Sequence, residues 1–418
     1  MKMAFSRETD TSASQKNLAG QPLVTTEAHA LIKEWKSWNL SAVFTYAVYW
    51  GILFITMTVL AAKFTTLFLS WLIEETKSMD LGTVTGILVG VGVVMFLLPP
   101  VPGLPIYLTL GIVIVPVGRE VFTSEYSLVI CMAYASVVCL ALKLFATFLQ
   151  QKVIGGLLKG YVGVRSMVGI NTSLIRAMKL SLQESGLGLA KVSILCGGPD
   201  WPTSVLCGIM DLPLLPILVG TLPVFLLVVP TVLAGSFMYM TGLEVDGSPE
   251  FPWASTAATI CQALAALVLF GFMISAAYYV EQTMSSRAEE LAEMPYDQEV
   301  KILEDEAVAM NEAYDEVTEW QHVPVFARFC LLASLGCVVT SCYMVQLFQE
   351  DAFTEYQLTS TIEVQLNGDW TNLVKPIGQI AIALFVASLA FLFIFIRWAT
   401  SQARRLLEKK GEEPEVLQ

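Results

Sequence analysis

Residues Pro99–Ile112 read PPVPGLPIYLTLGI, and 97 residues further on Cys196–Ile209 read CGGPDWPTSVLCGI. Laid over one another, Pro102 meets Pro199, Pro105 meets Pro202, Gly111 meets Gly208 and Ile112 meets Ile209, a shared PxxPxxxxxGI pattern. Both stretches sit inside apolar runs. Proline lacks an N–H and restricts the residue before it, so a helix that reaches Pro99, Pro100 and Pro102 has to break there. Each limb left by the break is short for a full crossing, which takes about 20 apolar residues. Irregular backbone at membrane depth is tolerated only where protein buries it or where it lines a water-filled cavity. The two stretches are therefore predicted to be re-entrant hairpins, over about 82–118 and 192–211.

Outward from them the chain is a membrane sequence. Hydrophobic residues make up 55% and charged ones 15%, with a mean hydropathy of +0.64. A soluble domain carries roughly 25% charged residues. Apolar runs near 40–62, 125–150, 212–240, 253–280, 324–348 and 377–397 are expected to cross the bilayer. The expected fold is thus an all-α polytopic membrane protein, with two re-entrant Pro-broken hairpins in an inverted repeat plus about six transmembrane helices. Five regions follow: a cytoplasmic segment 1–38 ending in an interfacial helix (Glu27–Trp38), a membrane core 39–280, an acidic helical linker 281–323, a transmembrane pair 324–398 and a tail 399–418.

The charge of −13 is local, because Glu281–Glu319 holds thirteen acidic residues against Arg287 and Lys301. The remainder is near neutral, which leaves no nucleic-acid footprint. The polar first thirty-odd residues do not read as a cleavable signal peptide. With both hairpins re-entrant, the N-terminus, 151–191, 281–322 and the C-terminus fall on one side and hold 18 of the 24 lysines and arginines. By the positive-inside rule that side is cytoplasmic, both termini included. The sequons at Asn39 and Asn171 are then expected to stay bare. All eight cysteines lie in apolar stretches without CxxC spacing and read as buried small hydrophobes.

One span and one basic segment separate the two Pro-broken stretches, so the first would dip from one face and the second from the other. That is the inverted-repeat logic of transporter cores, in which broken helices meet near the midplane. The bland alternative is a pair of ordinary kinked helices. The sequence also resembles a known family. PPVPG at Pro99–Gly103, the apolar stretch to Gly111, a span, a basic linker, CGIM at Cys207–Met210 and Gly220 downstream look like the VTT domain of the DedA and SNARE-associated Golgi protein families. The resemblance covers about 85–240. It implies a lipid-handling protein of an endomembrane, endoplasmic reticulum or Golgi, acting as a phospholipid scramblase or flippase. Bacterial members carry an acid directly after the first PPxPG and an arginine in the second hairpin. Here Leu104 and, approximately, Asp200 stand in those places, which suits passive scrambling better than proton-coupled transport.

The residues expected to line the path are Pro99, Pro100, Pro102, Gly103, Pro105, Tyr107 and Gly111 in the first hairpin, Lys143 in the span after it, and Pro199, Asp200, Trp201, Pro202 and Gly208 in the second. An acid in an apolar stretch is costly and by default functional, although Asp200 could instead cap a helix starting near Pro202. Lys143 could snorkel to the interface or pair with Asp200. Tyr107 and Trp201 could line the path or anchor at the interface. The glycines fit close backbone approach. No Ser-His-Asp, HExxH, P-loop or paired-carboxylate pattern points to an enzyme. Nor is any metal or cofactor expected. The expected partners are membrane lipids, with a basic protein as a candidate at the acidic linker. Two rival functions are an ion-coupled carrier of a small solute and a scaffold acting through 281–322.

Overall fold

The structure is a computed structural model that describes residues 38–411, apart from residues 100, 123, 125, 185, 242, 246, 247 and 359. Pro100 and, except for Trp38, the expected interfacial helix Glu27–Trp38 lie outside the described residues. The chain is all-helical, save for a two-residue ladder pairing Glu244–Val245 with Ser248–Pro249. In chain order the helices are α1 (Leu40–Thr76), α2 (Leu81–Leu97), α3 (Gly103–Val121), α4 (Ser127–Leu158), α5 (Val162–Met167), α6 (Ser173–Gln183) and α7 (Leu189–Gly197). They continue with α8 (Asp200–Ile209), α9 (Leu214–Met240), α10 (Ala254–Ser286), α11 (Ala288–Glu293), α12 (Gln298–Thr318), α13 (Val325–Leu347) and α14 (Pro376–Lys410).

Seven of these (α1, α3, α4, α9, α10, α13 and α14) are long and apolar enough to cross a membrane. This is a multi-pass membrane protein. The seventh span is one more than the sequence led us to expect, and it is the second limb of the first hairpin. At 1.5 Å per residue, the nineteen residues of α3 reach about 28 Å, longer than a half-crossing limb. Pro105 in the first turn of α3 did not shorten it, since the amides there need no partner inside the helix. The first limb, α2, has seventeen residues and is not one of the seven.

Local chemistry sets the ends. Asp80 caps α2, accepting from Thr83 N at 3.0 Å. Asp297 caps α12 through Val300 N at 3.2 Å. The largest core cluster joins α1, α2, α3, α4 and α9, with Leu88, Phe96, Tyr107, Ile114, Leu142 and Val228 at its centre. The C-terminal pair is held by buried serines, as packing between apolar helices in lipid requires. Ser341 Oγ donates to Ala381 O at 2.7 Å, and Ser334 Oγ donates to Ser388 O at 2.9 Å.

Contacts sort the connections onto two ends of the bundle. At one end the acidic helices dock on the basic segment. Arg165 pairs with Asp297 and Glu299. Asn171 Nδ2 donates to Asp297 O at 3.1 Å while its Oδ1 accepts from Asp297 N at 2.9 Å. At the same end Phe44 of α1 meets Trp320 edge-on, and Lys410 of α14 pairs with Glu316 at 2.8 Å. At the other end Ser70 hydrogen-bonds Tyr356 at 2.8 Å, and Arg119 approaches Glu250 at 3.9 Å. The acidic linker is thus helical and mostly exposed, and it also docks on the rest of the chain. α10 runs to Ser286, and the short α11 and the 21-residue α12 then lie across the chain's own cations.

Candidate functional site

The sites of the two prolyl breaks are neighbours. α2 ends at Leu97 and α3 begins at Gly103 after the N-cap Pro102; α7 ends at Gly197 and α8 begins at Asp200 after the N-cap Pro199. Trp201 Nε1 donates to Leu97 O at 3.0 Å, tying the second break to the first. Gln150 Nε2 donates to Phe96 O at 2.6 Å. These two bonds satisfy carbonyls that the end of α2 would otherwise leave open.

Between the breaks lies an ion pair. Lys143 Nζ, on α4, is 2.7 Å from Asp200 Oδ1; the lysine side chain is 2% exposed and the aspartate 29%. The ammonium also stands 5.5 Å from the centroid of the Phe96 ring, which packs on Tyr107. So Lys143 does not snorkel outward. It lies seventeen residues into α4, with its chain buried and its charge spent on Asp200. Nor does Asp200 cap a helix that starts at Pro202. It is the first residue of α8, no side chain caps that end, and its carboxylate faces Lys143 instead.

Gly103 completes the cluster. A Cβ there would fall 2.6 Å from Asp200 Oδ2, so the carboxylate rests against the first residue of α3. It also belongs to the first turn of α8. Helix N-termini carry partial positive charge, and anions are stabilised there. Two such termini and an ammonium thus surround one carboxylate.

From Lys143 a buried polar stripe runs along α4 at helical spacing through Thr147, Gln150 and Gln151. The last two fall in the π-helical turn Leu149–Gly155, a feature frequent at functional sites. Gln151 Nε2 donates to Leu212 O at 2.8 Å. Among the described residues, Thr147 Oγ1, Gln150 Oε1, Gln151 Oε1 and Tyr107 OH are buried without a hydrogen-bond partner. Four polar residues on one face of an apolar helix were the signal of this stripe available in the sequence.

The glycines do what small residues in lipid are expected to do. A Cβ on Gly111 would collide with Val232 O, and one on Gly235 with Leu108 O, so α3 and α9 touch backbone to backbone. A Cβ on Gly155 would meet Val205 O at 2.5 Å, and one on Gly208 would strike Gln151 O, so α8 and α4 do the same. Leu108 and Val205 are 97 residues apart, as are Gly111 and Gly208. One contact is made twice.

The remaining expected residues divide. Tyr107 is 1% exposed and is no interfacial anchor. Trp201 is half-buried, while Pro99, Pro102, Pro199 and Pro202 lie on the outside of the breaks and Pro105 is half-buried in α3. The eight cysteines are free thiols, five of them buried. Among the described residues no cluster of His, Cys, Asp and Glu could hold a metal. No protein-family model, curated protein or solved structure matches the chain.

Proposed function

We propose that this chain is a VTT-type membrane protein that moves phospholipids between leaflets, a scramblase or flippase of an endomembrane with both termini cytoplasmic. The observation that carries this reading is the meeting of two helix breaks at the Lys143–Asp200 pair inside an otherwise apolar bundle. The glycine contacts support an inverted repeat. A two-fold axis that exchanges the hairpins also exchanges the helices receiving them. The helix after the first hairpin does receive the second at Gly155, and the helix after the second receives the first at Gly235.

The mechanism is electrostatic. A charged headgroup is costly at bilayer depth. Where the breaks meet, two helix N-termini and Lys143 offer it positive potential; the unpartnered Thr147 and Tyr107 hydroxyls can donate to its phosphate, and the Gln150 and Gln151 carbonyl oxygens can accept from a headgroup amine. Asp200 holds the place of the anion: Lys143 passes from Asp200 to a headgroup phosphate, the breaks part, and the pair re-forms behind the lipid. The test is purified protein in liposomes with a fluorescent phospholipid quenched by dithionite. Quenching that reaches inner-leaflet lipid is expected. Quenching confined to the outer leaflet, with folded protein inserted, overturns the reading.

A second reading rests on the same pair. A buried lysine and carboxylate are also what an ion-coupled carrier of a small solute would use to bind and release a proton. Lipid movement in the absence of any ion gradient separates the two. The scaffold reading would act, by docking a basic protein, through acids of α12 that no cation occupies among the described residues, Glu306 and Glu312 among them.

A further inference from the structure

The C-terminal pair has a feature that lipid movement through the hairpins does not use. Between Lys375 and Arg397, α14 carries no charged residue. That is 21 residues, about 31 Å of helix, the thickness of the hydrocarbon layer. Arg397 therefore enters at the depth of the headgroups. Arg404 follows two turns later on the same face, about 10 Å further out, with Arg405 beside it. The three line a cleft of about 650 Å³ whose membrane side is formed by Phe326, Phe393 and Trp398.

Among the described residues, the other arginines of this end are engaged. Arg165 and Arg287 hold acids, Arg176 holds Met294 O, Arg328 stacks on Trp320, and Lys159 and Lys410 are paired. Among the described residues Arg397, Arg404 and Arg405 make neither an ion pair nor a hydrogen bond, although Glu408 lines the same cleft. No acid of α12 is paired with them; α12 packs on α14 through Ala403 and Leu407, a different face.

We propose that this cleft binds the headgroup of an anionic phospholipid from the leaflet at that end. The acyl chains lie along Phe326 and Phe393, the glycerol phosphate meets Arg397, and a second anionic group of the headgroup meets Arg404 and Arg405. Guanidinium groups match phosphate in two-pronged geometry, and their weak hydration suits an interface. The aromatic floor gives the position a depth, as aromatic side chains do at membrane surfaces.

Native mass spectrometry of the full chain released from micelles, with phosphatidylcholine, phosphatidylserine or a phosphatidylinositol phosphate added, tests the assignment. A basic residue near an anionic membrane surface is worth roughly fivefold in binding, so three give on the order of 100-fold. The chain should retain the anionic lipids over phosphatidylcholine by a factor in that range. The triple variant R397Q/R404Q/R405Q should lose the preference, and the triple lysine variant should keep only part of it. If the glutamine triple does not fold, R404Q and R405Q, which lie beyond the hydrocarbon, are read singly and should each lose roughly fivefold. Unchanged preference in a folded glutamine variant overturns the site. So does displacement of the lipid by inorganic phosphate at comparable concentration, which would make it a site for soluble anions.

Discussion

Gly103 and Asp200 hold the same position in the two Pro-broken stretches, 97 residues apart, and they touch: the space a Cβ on Gly103 would take lies 2.6 Å from Asp200 Oδ2. In a two-fold arrangement, equivalent positions meet only near the axis. The contact therefore marks where that axis would pass. The two positions also differ in a necessary way, because two carboxylates here would repel and two glycines would leave Lys143 unpaired.

The first prediction follows from that contact. Gly103→Ala should push the carboxylate away from Lys143 and cost about 1–3 kcal/mol, as overpacking of a tight site does. Shortening the partner should give it room. Gly103→Ala combined with Asp200→Ser should lose less stability than the two single changes added together, by at least about 0.5 kcal/mol. Thermal unfolding in detergent measures the cycle, and strict additivity would show that the residues do not touch.

The doubled glycine contact makes a prediction about symmetry. Gly111→Ala and Gly208→Ala each set a Cβ against a main-chain carbonyl of a helix from the other repeat. Both should destabilise, by similar amounts of about 1–3 kcal/mol, whereas Gly86→Ala, with open space around it, should not. A large loss at one position and none at the other would leave two kinked helices as the better description.

Much of this was legible. The prolines located both breaks, and Lys143 and Asp200, which the sequence offered as possible partners, are paired. What escaped depends on partners remote in sequence. Gly155 and Gly235 look like any glycines in apolar runs until α8 and α3 lie against them. The acidic segment reads as solvated because its composition does not reveal that Asn171 binds the main chain of Asp297. α3 runs on through Pro105 to nineteen residues, since that proline falls where a helix tolerates one.

That docking makes a prediction about sidedness. The side-chain amide of Asn171 is engaged on both its nitrogen and its oxygen, so it should carry no glycan, and Asn171→Gln should loosen the linker. Cysteines placed at 165 and 299 should cross-link to each other, and both should label from the same face as Lys410. Glycan on Asn171, or labelling of 165 and 299 from opposite faces, would contradict the arrangement.

At the same end, a hydrogen bond from Lys159, reinforced by its charge, holds the Asp211 carboxyl below the usual carboxylate range. A depressed carboxyl stabilises the fold above its ordinary value of about 3.9 and gives that stability up as pH falls through the depressed value. The pair is exposed and screened by solvent, so the effect should stay within about 0.2–1 kcal/mol. Asp211 has φ 55°, a conformation asparagine also accepts. Asp211→Asn should therefore fold, be slightly less stable at neutral pH, and become indistinguishable from the parent once the pH falls below the depressed carboxyl value. A constant difference across the range would remove the Lys159 pairing as its cause.

The remaining prediction separates a structural ion pair from one that handles headgroups. Removing one partner of a buried pair leaves the other charge stranded and costs about 3–5 kcal/mol. Asp200→Leu and Lys143→Met should each lower the amount of folded protein. Removing both charges together relieves that strain, and buried pairs replaced by apolar residues of similar volume are often no less stable. The double variant Lys143→Met/Asp200→Leu should then fold like the parent. If the pair only braces the breaks, lipid movement per folded molecule should also match the parent. If Lys143 passes from Asp200 to a phosphate, the double variant should move lipid slowly although well folded. Asp200→Asn, which keeps Lys143, should sit between the two, because the cation that meets the phosphate is still there. Parental rates in the folded double variant would take the pair out of the path and leave the helix breaks and the α4 polar stripe as the only elements able to carry a headgroup.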